Sequence, residues 1–213
     1  METLYYLTVA TVVIVLFFDY TNGFHDAANI VATVIASRAM TPVQAVVVVG
    51  VFEFLGPLLG GTAVANTIGK FVDLSTLDKQ AALLILFCGL LGAIVWNLAT
   101  WWLGIPSSSS HALVGGLVGA VVAAAGSQYV IWGWAPLMQD GKLVGVMKVI
   151  VSLFVSPLLG FWVGFLIHRL GRRLLTNAKP SANDKLRKLQ FVTAAGLAFS
   201  HGANDAQKSM GML

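Results

Sequence analysis

The sequence predicts an all-α protein, a polytopic transmembrane helical bundle with inverted-topology repeats and broken or re-entrant helices. Of its 213 residues, 57% are hydrophobic and 10% are charged, whereas about 25% of the residues in a soluble domain are charged. Several apolar runs approach the roughly 20 residues that cross a bilayer. Two of these runs are interrupted by polar stretches that are similar to each other, which indicates a duplicated unit.

The first predicted crossing, residues 3–37, contains polar residues between Asp19 and Asn29 and a glycine, Gly23. We therefore expect its helix to be broken near the middle. Thr41 and Pro42 mark a turn, because proline is suited to the first position of a helix. The next predicted elements are a crossing over residues 42–65, a polar connection over 66–79 and a crossing over 80–102.

A serine-rich segment opens the next predicted helix, which covers residues 107–126 and is rich in small residues. Gly115, Gly116 and Gly119 would allow a neighbouring helix to approach closely. Residues 127–147 have the tyrosine and tryptophan content of a membrane interface. The remaining predicted elements are a crossing over 148–167, a basic loop over 168–188 and a final apolar segment over 189–213.

The chain accordingly divides into a first transmembrane repeat (residues 1–167), a basic cytoplasmic loop (168–188) and the start of a second, truncated repeat (189–213). The loop holds seven of the 13 lysine and arginine residues, and such clusters mark the cytoplasmic side. Because over half of the basic residues lie there, the net charge of +4 does not indicate nucleic-acid binding. The single cysteine, Cys88, excludes an intrachain disulfide.

The relative orientation of the two similar stretches depends on residues 107–126. If these residues cross the membrane, five crossings separate the N-terminus from the basic loop. The N-terminus then lies outside, and the two stretches enter the membrane from opposite sides. If residues 107–126 enter and return on one side, the helices that carry the two stretches run parallel. The first 37 residues contain no lysine or arginine, which favours an outside N-terminus. We therefore expect the inverted arrangement.

The two similar stretches are residues 21–29, TNGFHDAAN, and residues 200–208, SHGANDAQK. Both follow the pattern G-x-x-D-A, with a hydroxyl residue two positions before the glycine. Asp26 and Asp205 are costly in a membrane interior, where carboxylates usually have a function. They suit a coupling ion, either sodium bound by oxygen ligands or a proton. A helix-packing hydrogen bond or a cap at a kink would explain one copy, but it explains two matching copies less well.

Both motifs place a second polar residue on the face of the helix that carries the aspartate. Asn29 follows Asp26, and Lys208 follows Asp205, at a spacing of three residues. Residues three apart are neighbours on a helix surface.

Ser107, Ser108, Ser109 and Ser110 follow Pro106 at the predicted start of a helix. Serine is a good N-cap residue, and the free amides and the dipole of the first helical turn attract an anion. The hydroxyl groups add hydrogen-bond donors for a tetrahedral oxyanion such as phosphate. An ordinary serine N-cap is the alternative, and the two aspartate motifs in the same chain favour the anion site.

The other polar residues allow fewer conclusions. His25, His111 and His201 adjoin the motifs, but their spacing does not match a zinc site, and we expect local hydrogen bonds from them. Glu53 could face a cavity or pair with Lys208. Adjacent Ser-His pairs do not suit a nucleophile and its base, and a G-x-S-x-G motif is missing. We therefore expect neither an enzyme nor a cofactor.

These residues resemble the inorganic phosphate transporter (PiT) family of secondary carriers, in its bacterial form. The resemblance rests on residues 22–33, 106–112 and 201–211 and covers essentially the whole chain in order. It implies symport of inorganic phosphate, coupled to sodium or protons, by alternating access through an inverted-repeat helical fold. It also implies a homodimer in the plasma membrane of a bacterium.

By motif match, the resemblance places Asp26, Asn29, Asn204 and Asp205 at the central site and Ser107–Ser110 on phosphate. A carboxylate should not face a phosphate dianion without a cation between them. We therefore expect Asp26 and Asp205 to bind the coupling ion, as sodium or as a proton. The serines, Asn204 and Asn29 then bind phosphate, and Asn29 also contacts the coupling ion.

Other functions stay open at this point. Sulfate or a metal–phosphate complex is the alternative cargo within the same fold, and an anion channel is the alternative from a different class. Intramembrane lysine and arginine are scarce, which argues against a channel with a basic lining. Family members carry a second Ser/Thr-rich half-helix after the second motif, and this chain stops at Leu213 before it. We therefore expect an incomplete chain that does not transport phosphate by itself.

Overall fold

A computed structural model describes residues 2–61 and 71–211, and the regular structure of these residues is helical. The helices are α1 (Glu2–Ala36), α2 (Pro42–Leu59), α3 (Lys79–Trp102), α4 (Ser109–Ala124), α5 (Trp134–Asp140), α6 (Gly145–Leu174) and α7 (Ala182–Met210), with a 3-10 turn at Ser127–Tyr129. Among the described residues, four helices are long and apolar enough to cross a membrane, namely α1, α2, α3 and α6. The prediction of an all-helical membrane protein is confirmed.

The predicted break in the first crossing is wrong, because α1 is one continuous helix of 35 residues. Its polar residues find partners without leaving the helical conformation. The Thr21 hydroxyl donates to the carbonyl of Phe18 within the helix, and Asp26 accepts a hydrogen bond from another helix. Gly23 is compatible with a helix at a cost of about 1 kcal/mol relative to alanine, which the packing of α1 against its neighbouring helices outweighs.

The turn between α1 and α2 confirms the prediction for Thr41 and Pro42. Thr41 is the N-cap of α2, Pro42 is its first residue, and the side chains of Thr41 and Gln44 form a capping box. The end of the second predicted crossing and the first five residues of the polar connection fall within residues 62–70, which lie outside the described residues.

Helix α1 is shared by two helix pairs. On one side it packs against α3 and α4, through a core cluster that includes Val15, Phe18, Leu90, Ala93, Ile94, Leu113 and Leu117. On the other side it packs against α2 and α7, through Ile30, Val34, Ala45, Val49, Ala194 and Ala198. A residue in the middle of α1 can therefore contact both pairs at once.

Helices α3 and α4 form an antiparallel hairpin with a close backbone contact. A Cβ on Gly116 would lie 2.2 Å from the carbonyl oxygen of Gly89, a distance that no side chain tolerates. The prediction of close helix approach therefore holds at Gly116, whereas a Cβ on Gly115 or Gly119 would meet no atom within 4 Å. This contact fixes the position of α4 along α3, and therefore the position of the first residues of α4.

Helices α2 and α7 also meet through glycines, and they run parallel. A Cβ on Gly202 would lie 2.1 Å from the carbonyl oxygen of Glu53, and a Cβ on Gly56 would lie 2.4 Å from that of Phe199. The backbone of the second motif therefore rests directly on the backbone at Glu53, and the side chains beside it converge.

The two motif helices, α1 and α7, run antiparallel. Ser37 near the end of α1 donates a hydrogen bond of 2.5 Å to Gln190 in the first half of α7. Asp19 in the middle of α1 accepts a hydrogen bond from Ser209 at the end of α7. Antiparallel motif helices are what the inverted arrangement predicts, whereas the re-entrant alternative predicts parallel ones.

The predicted basic loop, residues 168–188, is helical at both of its ends. Helix α6 continues to Leu174 and α7 begins at Ala182. Lysine and arginine are good helix formers, and Arg172 and Arg173 lie in the last turn of α6, where the helix dipole favours cations. Nearly all residues of α6 after Met147 are exposed, which suits a helix that contacts lipid or further protein.

Candidate functional site

Asp26 lies where α1 meets both helix pairs. Its Oδ2 accepts a hydrogen bond of 3.0 Å from Ser109 of α4. Its Oδ1 lies 3.2 Å from Nδ1 of the neighbouring His25, and Nε2 of His201 on α7 lies 3.7 Å from Oδ2. The first motif, the second motif and the serine segment therefore converge on one carboxylate.

His201 is surrounded by carboxylates from three helices. Besides Asp26 of α1, its Nδ1 lies 3.2 Å from Oε1 of Glu53 on α2 and 3.4 Å from Oδ2 of Asp205, one turn later on α7. The local hydrogen bonds predicted for His25 and His201 are present, whereas His111 is exposed. Glu53 faces this cluster and does not pair with Lys208, which resolves the alternatives that the sequence left open.

A small cavity of about 210 Å³ adjoins this cluster between α1, α2 and α7. Its lining includes five polar side chains, those of Asp19, Asn22, Glu53, His201 and Asp205. Asn22 is 2% exposed, and its Oδ1 has no hydrogen-bond partner among residues 2–61 and 71–211. A buried acceptor without a donor carries a free-energy cost of about 1–3 kcal/mol, which a cation or a protonated ligand at this position would remove.

The end of the second motif is fastened by two polar contacts. Nζ of Lys208 lies 2.5 Å from Oδ1 of Asp205, within the same helix. The next residue, Ser209, is hydrogen-bonded to Asp19 of α1. Three consecutive residues, Gln207, Lys208 and Ser209, are buried, so this turn of α7 is part of the protein interior.

The four predicted serines have different surroundings. Ser108 is the N-cap of α4 and accepts a hydrogen bond from the backbone N–H of His111, so the predicted capping role is confirmed. Ser107 accepts a hydrogen bond of 2.9 Å from Nε1 of Trp96, and Ser110 is half-buried. Ser109 is 1% exposed and bonds to Asp26.

Ser107 and Ser108 also line an open groove of about 470 Å³ beside α3, together with Trp96, His111 and Gly116. The serine hydroxyl groups at the start of α4 therefore lie in two different environments. Ser109 belongs to the carboxylate cluster, and Ser107 and Ser108 face the groove.

The two predicted asparagines are not part of the cluster. Asn29 is exposed on α1, and Asn204 is exposed on α7, where its amide donates to the carbonyl of Ser200. Asn22 occupies the buried position instead. Its place directly before the motif glycine was visible in the sequence, but nothing in the pattern gave it a role distinct from that of Asn29.

The cluster has the ligand types of a small-cation site. One ligand atom from each of Asp26, His201 and Asp205 lies within 4.8 Å of the other two. Carboxylate oxygens together with the amide oxygen of Asn22 suit a hard cation, and the same carboxylates can carry a proton. The predicted pair Asp26 and Asp205 is therefore brought together, with His201 between the two side chains.

Residues 22–213 match the model of the phosphate transporter family. The chain is 40% identical to a probable low-affinity inorganic phosphate transporter of Bacillus subtilis, over all of this chain and 60% of that protein. It is also 40% identical to the low-affinity inorganic phosphate transporter PitA of Escherichia coli, over 93% of this chain and 43% of that protein.

A solved structure, the sodium-dependent phosphate transporter, superposes with a TM-score of 0.75 at 21% identity, over 97% of this chain and 66% of that one. This likeness supports the fold. The chain spans 43–60% of the length of the two bacterial relatives. The family match covers both motifs and the serine segment, the residues that converge on Asp26. The chain belongs to the phosphate transporter family.

Proposed function

We propose that this chain forms part of a secondary active transporter that carries inorganic phosphate across a bacterial plasma membrane, in symport with sodium or protons. The convergence on Asp26 carries the proposal. A serine from the start of a short helix and a histidine from the second motif meet the same carboxylate, in a chain whose helices are apolar enough to cross a membrane.

The phosphate end of the proposed site is the start of α4. The first amides of this helix lack intrahelical partners, and its dipole favours an anion. Ser107 and Ser108 line the groove at this helix start, where their hydroxyl groups can donate to phosphate oxygens. Helix α4 has 16 residues, which is about 24 Å, less than the roughly 30 Å of a hydrocarbon core. Its N-terminus can therefore lie inside the membrane.

The cation end of the proposed site is the carboxylate cluster. Asp26, Glu53 and Asp205 surround His201 within 3.7 Å, which concentrates negative charge beside the anion site. A sodium ion or a proton on this cluster removes the repulsion between the carboxylates and phosphate. Phosphate and cation would then bind together, and this joint binding would couple their movement.

The antiparallel course of α1 and α7 supports an inverted repeat and alternating access around this cluster. In repeats of this kind, two similar halves rock about a site near the middle of the membrane. The relatives named as phosphate transporters support phosphate as the cargo. A homodimer is a further part of this proposal.

The test is counterflow of radiolabelled phosphate in proteoliposomes that contain the full-length gene product. Phosphate and sulfate are compared as cargo, and sodium and proton gradients are imposed separately. We expect counterflow of phosphate but not sulfate, and stimulation of uptake by one of the two gradients. Transport of sulfate alone, or equal flux without any cation gradient, would contradict the proposal.

A further inference from the structure

Among the positions at which the two motifs differ, one carries a lysine in the second copy only. Three residues after the motif aspartate, the first copy has Asn29 and the second has Lys208. Asn29 is exposed, whereas Lys208 is 8% exposed. The duplicated unit therefore carries a neutral side chain at the surface in one copy and a buried lysine in the other.

The buried lysine is aimed at the aspartate of its own motif. Its Nζ lies 2.5 Å from Oδ1 of Asp205, and both side chains are at most 16% exposed. A buried charge is strongly destabilising unless it is paired and hydrogen-bonded. The positive charge of Lys208 and the negative charge of Asp205 therefore cancel each other within one turn of α7.

Within residues 2–61 and 71–211, Asp26 has no equivalent fixed cation. Its closest contacts are the Ser109 hydroxyl and the ring nitrogens of His25 and His201. Among the described residues, no lysine or arginine lies within ion-pair distance of Asp26. Within the described part of the chain, its negative charge is thus balanced by hydrogen bonds and by any proton on the histidines.

We propose that the ammonium group of Lys208 is a tethered cation that neutralises Asp205 permanently, so that the transport site takes one mobile cation fewer than a site with two free aspartates. The mobile sodium ion or proton then binds on the side of Asp26. This inference rests on the proposed transport function. It gives the two motif aspartates different roles, Asp26 as the site of the mobile cation and Asp205 as the partner of Lys208, whereas the repeat alone would give them the same role.

The ammonium group suits this task physically. It is a compact point charge on a flexible stem with three hydrogen-bond donors, so it can take the position of a small monovalent cation beside a carboxylate. It also remains bound to the chain when the site opens to either side. A dissociable ion bound to Asp205 would instead leave the protein when the site opens.

The test replaces Lys208 by the residue that the first motif has at the same position. In proteoliposomes with the full-length protein, Lys208→Asn is expected to bind one additional cation per phosphate, which steepens the dependence of uptake on the coupling cation. The ratio of cation to phosphate is measured with labelled phosphate, together with labelled sodium for sodium coupling or a pH-sensitive dye for proton coupling. Lys142→Asn is the matched control, because it removes a lysine from the exposed pair with Asp140 and should leave the ratio unchanged.

A second variant covers the case in which Lys208→Asn does not fold. The double variant Asp205→Asn with Lys208→Asn removes both charges together, so it should transport better than either single variant and keep the wild-type ratio. An unchanged ratio in Lys208→Asn, or a double variant no better than Asp205→Asn alone, would overturn the inference. If the wild type itself moves no phosphate, the proposed function fails instead.

Discussion

Ser109 of α4 donates a hydrogen bond of 3.0 Å to Asp26 of α1, and the two residues lie 83 positions apart in the chain. This bond joins the start of the short helix to the first motif. It also distinguishes Ser109 from Ser107 and Ser108, which face a groove and bond to other groups. A change at the anion end can therefore reach the carboxylate cluster through one side chain.

Replacement of Ser109 by alanine should impair transport more than replacement of Ser152, an exposed serine of α6. A hydrogen bond to a charged group contributes about 1.5–3 kcal/mol, and each 1.4 kcal/mol corresponds to about tenfold. We expect phosphate uptake by Ser109→Ala to fall by about tenfold or more, whereas Ser152→Ala stays within about threefold of wild type. Initial rates of uptake, corrected for protein incorporated, provide the comparison. Equal rates in the two variants would show that the Asp26 contact is dispensable.

The two motif glycines should respond differently to alanine. A Cβ on Gly202 would meet the backbone of Glu53 at 2.1 Å, whereas a Cβ on Gly23 would meet no atom within 4 Å. Gly202→Ala should therefore destabilise the fold by about 1–3 kcal/mol through overpacking. Gly23→Ala should be neutral or slightly stabilising, because alanine is the better helix former.

Thermal unfolding in detergent, monitored for both glycine variants beside the wild type, measures this difference. A midpoint for Gly202→Ala equal to that of the wild type would mean that α2 and α7 do not touch there.

The sequence predicted the elements of this site better than its geometry. The residue types and their spacing identified Asp26, Asp205 and the serines, because carboxylates and clustered hydroxyl groups are rare in apolar segments. The sequence did not predict that α1 is continuous. A polar stretch around Gly23 indicates a break in the helix when the partners of its side chains are unknown. Those partners come from α4 and α7, which are distant in the chain.

The roles of the asparagines and of Glu53 depended on helix packing that no local pattern specifies. Asn29 and Asn22 lie in the same motif, yet only Asn22 lines the cavity. Glu53 reaches His201 because Gly202 lets α7 approach the backbone of α2. A close contact between two helices is a property of their joint packing, which the sequence of either helix alone does not reveal.

The arrangement of α1 and α7 predicts opposite locations for the first residues of these two helices. Gln190 lies beside Ser37 at the far end of α1, so Asn183 lies at the end of the bundle opposite Tyr5. In a background with Cys88→Ser, Tyr5→Cys and Asn183→Cys should react with a membrane-impermeant thiol reagent from opposite sides. Labelling of both cysteines from the same side of sealed vesicles would exclude the inverted arrangement.

Asp26 is central to the account, so the most direct measurement is phosphate counterflow by the full-length protein with Asp26→Asn. Asp140→Asn serves as the control, because it also removes one carboxylate but lies in an exposed ion pair away from the cluster. We predict that Asp26→Asn loses about tenfold or more of the counterflow rate while it folds normally, and that Asp140→Asn transports like the wild type. Wild-type counterflow by Asp26→Asn would contradict the assignment of this junction as the transport site.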